Sequence, residues 1–304
     1  MTLTAREICF ALGGRWLGAY GAACCPAHDN QRTPALSLAD GADGRLLAKC
    51  HAGCDFVEII IALRRLGLAP PMSRRTVPTR CRRSDTRRPS PQALGEAAAD
   101  HRDIAKQLWN RGVSIGETLV EDYLKARAIS LLPLHALRFC GSCRHGPHQN
   151  SYAALLARID RIGESALVGI HRTFLSIRGT KIPTEPSRLA LGAVAGGAVR
   201  LVVGQGSLVV AEGLETALSA AELIAPPDAS VWAALTTSGL SGLILPRLSG
   251  ELIIAADNDA PGLRAAEVLA ARASRAGWHV VCRPPPSAFN DWNDVAQDRR
   301  GLSA

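Results

Sequence analysis

Cys25-Pro-Ala-His28 and Cys50-His-Ala-Gly-Cys54 constrain this chain more than any other feature, because two pairs of metal-binding side chains about 20 residues apart can close a small fold around one ion. Strand-like pieces between them, Ala35 to Leu38 and Arg45 to Lys49, predict two hairpin knuckles. Four nitrogen and sulfur ligands suit tetrahedral Zn²⁺, and a closed set leaves no open position, so the expected zinc is structural. Cys24 and His51 compete for places in the shell, with His51 the first candidate to replace Cys50. Nine cysteines in close pairs with histidines, behind an N-terminus lacking the layout of an export signal, read as metal ligands under reducing conditions rather than disulfides. The expected location is the cytoplasm, with no membrane partner, since no run approaches the roughly 18 apolar residues of a spanning helix.

Charge is unevenly distributed. Of the net charge of +8, the segment Pro70 to Pro91 carries +6, from seven arginines against Asp85. Such a segment reads either as a flexible arm that touches phosphate or as a solvated linker. The periodicities around it predict a block at residues 1–69 that ends in a helix from Phe56 to Leu66, a linker at 70–95, an α+β region at 96–200 and an α/β region at 201–304. In the third block helices are expected from Gly95 to Trp109 and from Thr118 to Arg127, with short strands at Ala166 to Ile170 and Arg172 to Ile177. In the last block the apolar runs Leu208–Ala211, Val231–Leu235, Leu252–Ala256 and His279–Cys282 alternate with helical segments, which predicts a mainly parallel sheet.

Two of those buried strands end in acids. Leu208-Val-Val-Ala-Glu212-Gly-Leu-Glu215 puts Glu212 at a strand's carboxyl end, where open α/β sheets place their sites, and Leu252-Ile-Ile-Ala-Ala-Asp257-Asn-Asp259 repeats the arrangement. Side chains at i and i+2 of an extended segment share a face, so Asp257 and Asp259 can converge, joined by Glu212 if the strands are neighbours. Three carboxylates in one crevice repel unless a cation lies among them, and hard oxygen ligands select Mg²⁺ or Mn²⁺, the expected catalytic metal.

These motifs carry a family resemblance. Cys25-x2-His28, Thr33-Pro-Ala-Leu-Ser-Leu38 and Cys50-His-Ala-Gly-Cys54 resemble the CHC2-type zinc finger that opens bacterial and phage primases. The three residues between Cys50 and Cys54, where replicative primases usually have two, match the phage, plasmid and mobile-element branch. Glu212, Asp257 and Asp259 resemble the glutamate and DxD of the Toprim domain. Phe289-Asn-Asp291-Trp-Asn-Asp294 looks like the terminal motif of phage-type Toprim proteins. The resemblance implies a multidomain chain: a zinc ribbon of small β plus helix, an α+β middle subdomain and an α/β Toprim domain. It implies catalytic and metal-holding roles for Glu212, Asp257 and Asp259, with Glu215 and Asp291 outside them.

Tyr123-Leu124-x2-Arg127 and Gly169-Ile-His171-Arg172-Thr173, then Lys181 and Arg188, resemble the subdomain that precedes Toprim in such proteins. Arg127, Arg172, Lys181 and Arg188 are therefore expected to face the acids and contact nucleic acid or a triphosphate. The implied activity is a DNA-directed nucleotidyltransferase making primers on single-stranded DNA from nucleoside triphosphates, in DNA replication, with a separately encoded helicase as a further partner. No sizeable helicase-binding domain of the kind replicative primases carry is expected after Asp294. The alternatives are a Toprim nuclease or a non-catalytic accessory protein binding single-stranded DNA. Cys140, Cys143, His145 and His148 form a permissive but crowded second metal motif, while Gly192 to Gly197 lacks the Lys-Ser/Thr of a phosphate-binding loop.

Overall fold

The computed structural model describes all residues except 1–2, 19, 29–33, 42–44, 70–90, 131–134, 147–148 and 302–304, and the backbone alone of 91–100. The arginine segment and Thr33 lie largely or wholly outside the described residues. The chain divides into two compact units, Met1–Arg88 and Pro89–Ala304.

In the first unit, β1 (Arg15–Trp16), β2 (Gly21–Ala23), β3 (Leu36–Asp40) and β4 (Leu46–Cys50) form an antiparallel sheet in chain order. Alternation along β3 buries Leu36 and Leu38 completely. Against them pack Ile8 and Cys9 of α1 (Ala5–Ala11) and Ile59 and Leu63 of α2 (Phe56–Arg65). Both helices begin with a capping box, Thr4 with Glu7 and Asp55 with Glu58, so each satisfies donors that a helix start otherwise leaves open. Gly21 is demanded by packing, since a Cβ there would sit 2.5 Å from Cys9 Sγ.

The second unit begins with α3 (Pro91–Arg111) and α4 (Leu119–Lys125), followed by an antiparallel sheet of β5 (Leu137–Arg144), β6 (Ser151–Ile159), β7 (Gly169–Leu175) and β8 (Arg188–Gly192). Where two short strands are predicted on either side of His171, β7 runs unbroken through it, because both its faces are covered. One face meets α3 through Ile170, Phe174, Leu156, Ala105 and Trp109. The other, with Leu155, Ala157, Ile159 and Leu175, joins the core that continues into the C-terminal sheet.

That sheet comprises β9 (Val199–Val202), β10 (Leu208–Ala211), β11 (Ser230–Ala233), β12 (Glu251–Ala255) and β13 (His279–Cys282), in the order β13-β12-β10-β11-β9. All pairings are parallel except that of β9. One face carries α5 (Leu214–Leu223) and α8 (Trp292–Arg299), the other α6 (Thr237–Gly242) and α7 (Ala260–Arg275). Strands covered on both sides explain the uninterrupted apolar runs. Leu155 is fully buried where the two sheets share a core, and Leu248 is 87% exposed. Leu155→Ala is expected to cost about 2–5 kcal/mol in urea unfolding, against less than about 0.5 kcal/mol for Leu248→Ala; equal midpoints for the two variants would refute the shared core.

Candidate functional site

In the first unit the sheet brings Cys25, His28, Cys50 and Cys54 together, with one ligand atom from each within 4.8 Å of all the others. Cys50 ends β4 opposite Leu36, which anchors one knuckle to the buried strand. Burial pushes the Cys25 thiol up to about 12, and the neighbouring Cys50 sulfur adds to the rise. Burial also acts against ionisation of Cys50, but the N–H groups of Cys54 and Ala52 aimed at its sulfur hold that thiol below its ordinary value. His28 Nε2 lies 3.5 Å from Cys50 Sγ. Three crowded sulfurs and an imidazole fit a tetrahedral cation, which would relieve their mutual repulsion. His51, the expected competitor, lies outside this group and instead meets Ser37 Oγ at 2.8 Å; Cys24 also lies outside.

Among the described residues no second group draws its ligand atoms this close together, and Glu212, Asp257 and Asp259 are set more openly. His145 Nε2 meets the Pro186 carbonyl at 2.8 Å and its ring packs against Phe174, so it is built into the core beside Cys140 and Cys143 rather than joined to them as a ligand; His148 lies outside the described residues.

In the second unit the acids are placed by strand pairing. β10 and β12 are adjacent and parallel, with Ala211 opposite Ala255, so Glu212 and Asp257 leave the same end of the sheet. Leu235 follows β11 at φ 73°, a conformation costly for a bulky residue, and its N–H donates to the Glu212 carbonyl at 2.6 Å. Asp259 caps α7, accepting from Gly262 N at 2.6 Å. A Cβ at Gly262 would lie 2.9 Å from Asp259 Oδ1 and 3.1 Å from Asp257 Cβ, so glycine is what lets the helix sit against both acids. Between them Asn258 donates from its backbone to the Asn290 carbonyl at 2.7 Å and from its amide to Phe289 O at 2.7 Å. Those bonds tie the loop after β13 to the acids and bring Asp291 and Asp294 into the field of Asp257. Asp291 itself caps α8, accepting from Asn293 N and Asp294 N.

Burial and the nearby Asp259 carboxylate push Glu212 up to about 7, and burial with Glu212 and Asp291 pushes Asp257 up to about 8. Asp257 Oδ1 is buried with no hydrogen-bond partner. An orphaned oxygen in a field of carboxylates is the environment a hard divalent cation satisfies, and the residues therefore fit Mg²⁺ or Mn²⁺.

The expected cations divide between two faces of the middle sheet. Lys181 Nζ lies 3.0 Å from Glu215 Oε1 and Arg188 Nη1 3.8 Å from Oε2, while the Tyr123 hydroxyl donates to the same carboxylate. Burial alone would raise the Glu215 carboxyl, yet Lys181, Arg188 and Tyr123 hold it well below the usual carboxylate range. Glu215 is thus a buried link to the middle region, and its oxygens are engaged by cations rather than turned to a metal beside Asp257. Arg188 also reaches the field of Glu212. Arg127 stacks over Tyr123 at 5.6 Å, and its carbonyl accepts from Asn293 Nδ2 at 2.8 Å. Arg172 departs from expectation: neighbours along a strand face opposite ways, so it lies on the α3 side with Phe174, away from Glu215 and the acids.

Residues 207–301 match the Toprim domain family, and residues 99–201 match a domain of unknown function, DUF7146. The matched stretch 207–301 carries β10 to β13 and the helices between and after them. None of the curated proteins matches the chain. Among solved structures it is similar to the zinc-binding and RNA polymerase domains of the Aquifex aeolicus primase, at 14% identity and TM-score 0.40, covering 98% of this chain and 83% of that one. It is also similar to the primase fragment of the bacteriophage T7 primase-helicase protein, at 13% identity and TM-score 0.36, covering 91% and 94%.

Two outcomes test this geometry. Purified protein should hold about one zinc per chain, and stripping it should abolish hydrogen-exchange protection in β3 and β4 while leaving β10 and β12 protected; unchanged protection in the first unit would remove the ion from its fold. Glu215→Gln leaves the buried Lys181 ammonium without its counter-charge and should cost about 3–5 kcal/mol in urea unfolding, part of it recovered by adding Lys181→Met. A wild-type midpoint for Glu215→Gln would show that the pair contributes nothing.

Proposed function

We propose that this protein is a primase-type nucleotidyltransferase that joins nucleoside triphosphates into short primers on single-stranded DNA. One observation carries the reading: in the stretch that matches Toprim, Glu212 and the Asp257–Asp259 turn follow adjacent parallel strands at one end of the sheet, with a buried Asp257 oxygen lacking any partner among the described residues. Those three side chains would hold Mg²⁺ or Mn²⁺, which supplies charge neutralisation at the transferring phosphoryl group and a lowered pKa for the attacking hydroxyl. If Glu212 instead leaves the cation to the two aspartates, its carboxyl, raised to about 7, would be suited to take a proton near neutral pH.

In the reaction a 3′-hydroxyl of one nucleotide attacks the α-phosphorus of the next, forming the phosphodiester and releasing pyrophosphate, while the hydroxyl proton passes to a base. Arg188, 46% exposed at its side chain and within the field of Glu212, is placed to meet triphosphate oxygens. Lys181 and Tyr123 fix Glu215 and so the start of α5, which follows Glu212 directly. Asp291 and Asp294 strengthen the negative field from outside. The Cys25, His28, Cys50 and Cys54 ribbon would engage template, and a separately encoded helicase would supply unwound DNA. No helix among the described residues is long and apolar enough to cross a membrane, and a replication role places the protein with DNA in the cytoplasm.

The deciding assay incubates the protein with single-stranded DNA, Mn²⁺ or Mg²⁺ and labelled nucleoside triphosphates. Short labelled products are expected from wild type, with a loss of at least about a hundredfold in Asp257→Ala. Because Glu212 and Asp257 take up protons as pH falls through about 7 and about 8, they lose the charge that holds a cation, so yield at fixed metal should drop from pH 8 to pH 6. Cleavage of the DNA without nucleotide incorporation would make the protein a Toprim nuclease. DNA binding with neither activity, unchanged by Asp257→Ala, would make it an accessory factor.

A further inference from the structure

The face of the middle sheet turned away from the carboxylates carries a second pocket. α3 crosses β7 and β8 and leaves a cavity of about 580 Å³ between its outer half and the strands. Its walls are apolar where Ile104 and Leu108 of α3 face Leu189 and Leu191 of β8. Three guanidinium groups border the same space, from Arg111, Arg144 and Arg172, and among the described residues no acidic side chain lines it. Among the described residues none of the three arginines forms an ion pair.

Arg172 is the fixed member. Its Nη1 and Nη2 donate to the carbonyls of Arg144 and Ala190 at 3.3 and 3.4 Å, its guanidinium lies 5.6 Å from the Phe174 ring centre, and its Nε is buried without a partner. Among the described residues no carboxylate pairs with this guanidinium, so its positive charge is left for an anion in the pocket to answer. Arg111 and Arg144 stand exposed at the mouth, where Arg144 donates from Nη2 to Gln149 Oε1 and would exchange that neutral acceptor for an anion. Guanidinium groups pair with phosphate oxygens through two parallel N–H bonds and also lie flat against planar rings. The volume falls within the roughly 300–1,000 Å³ of small-molecule sites.

From this arrangement we infer that the pocket binds one nucleoside polyphosphate, its phosphates on Arg111, Arg144 and Arg172 and its base against the leucine wall. Strand alternation separates it from the Toprim acids: Arg172 pairs opposite Leu189, while Thr173, opposite Arg188, faces the other way. Binding here therefore needs no divalent cation and stands whether or not the carboxylates transfer nucleotides. A bound nucleotide would bridge α3 and β8 and so stiffen the sheet that carries Arg188.

The test uses the full-length zinc-loaded protein with no Mg²⁺ or Mn²⁺ added, and follows a fluorescent ATP analogue by anisotropy. Saturable binding is expected, displaced by ATP and, more weakly, by inorganic triphosphate. Arg111→Glu and Arg144→Glu, both at exposed positions, should each weaken it about tenfold or more with an unchanged urea midpoint, whereas Arg264→Glu on the exposed side of α7 should not weaken it. No binding without divalent cation would overturn the proposal, as would equal affinity in all three variants. Displacement by a thymidine oligonucleotide but not by ATP would also overturn it, making the surface a strand-binding one.

Discussion

The in-register parallel pairing of β10 with β12 is the constraint on which the rest of the second unit depends. Because Ala211 and Ala255 sit side by side, the next residues of both strands emerge at one edge, and carboxylates separated by some 45 positions in sequence share a single electrostatic field. That register is itself enforced by burial, since β10 is covered on both faces and a slip would misalign Val209 and Val210 against two different cores. Burial first, and then the carboxylates' mutual repulsion, pushes the Glu212 and Asp257 carboxyls above their ordinary pKa.

Glu215 belongs to the same turn yet has the opposite character. One helical position after Leu214 it points into protein and not into the crevice, and Lys181, Arg188 and Tyr123 from the middle region surround it. The buried pair works as a register device: a charge that would be costly alone is satisfied only when the middle sheet sits in one place against α5. Asn293 acts similarly with neutral chemistry, its 1% exposed amide donating to Arg127 O and Ser219 Oγ. Acids, cations and the capping loop of α8 therefore keep their spacing through hydrogen bonds between segments far apart in sequence.

The first unit solves a different problem, since few residues are available to form a core. Leu36, Leu38, Ile59 and Leu63 supply a small apolar centre, and three sulfurs with one imidazole supply the remainder once an ion joins them. The backbone N–H groups of Ala52 and Cys54 turned toward Cys50 already favour the thiolate that such an ion requires.

What the sequence alone determined was whatever depends on local pattern: knuckle spacing points to four metal ligands with Cys24 and His51 as rivals, uninterrupted apolar runs show strands covered on both faces, and an acid after such a run lies at a sheet's carboxyl end. The strands β5, β6 and β8 were less legible, because their half-apolar, glycine- and arginine-containing stretches resemble loops until paired. Tertiary structure alone decided which cations meet which acids. A single strand step turns Arg172 away from the carboxylates, and the buried environment makes Glu215 a partner of Lys181 where spacing suggested a neighbour of the metal. Asn258, Gly262 and Leu235 carry no pattern of their own, and each acquires its role only from what the fold sets against it. Side-chain identity travels with the sequence, but electrostatic partnership depends on distance and burial, and those exist only once the chain has folded.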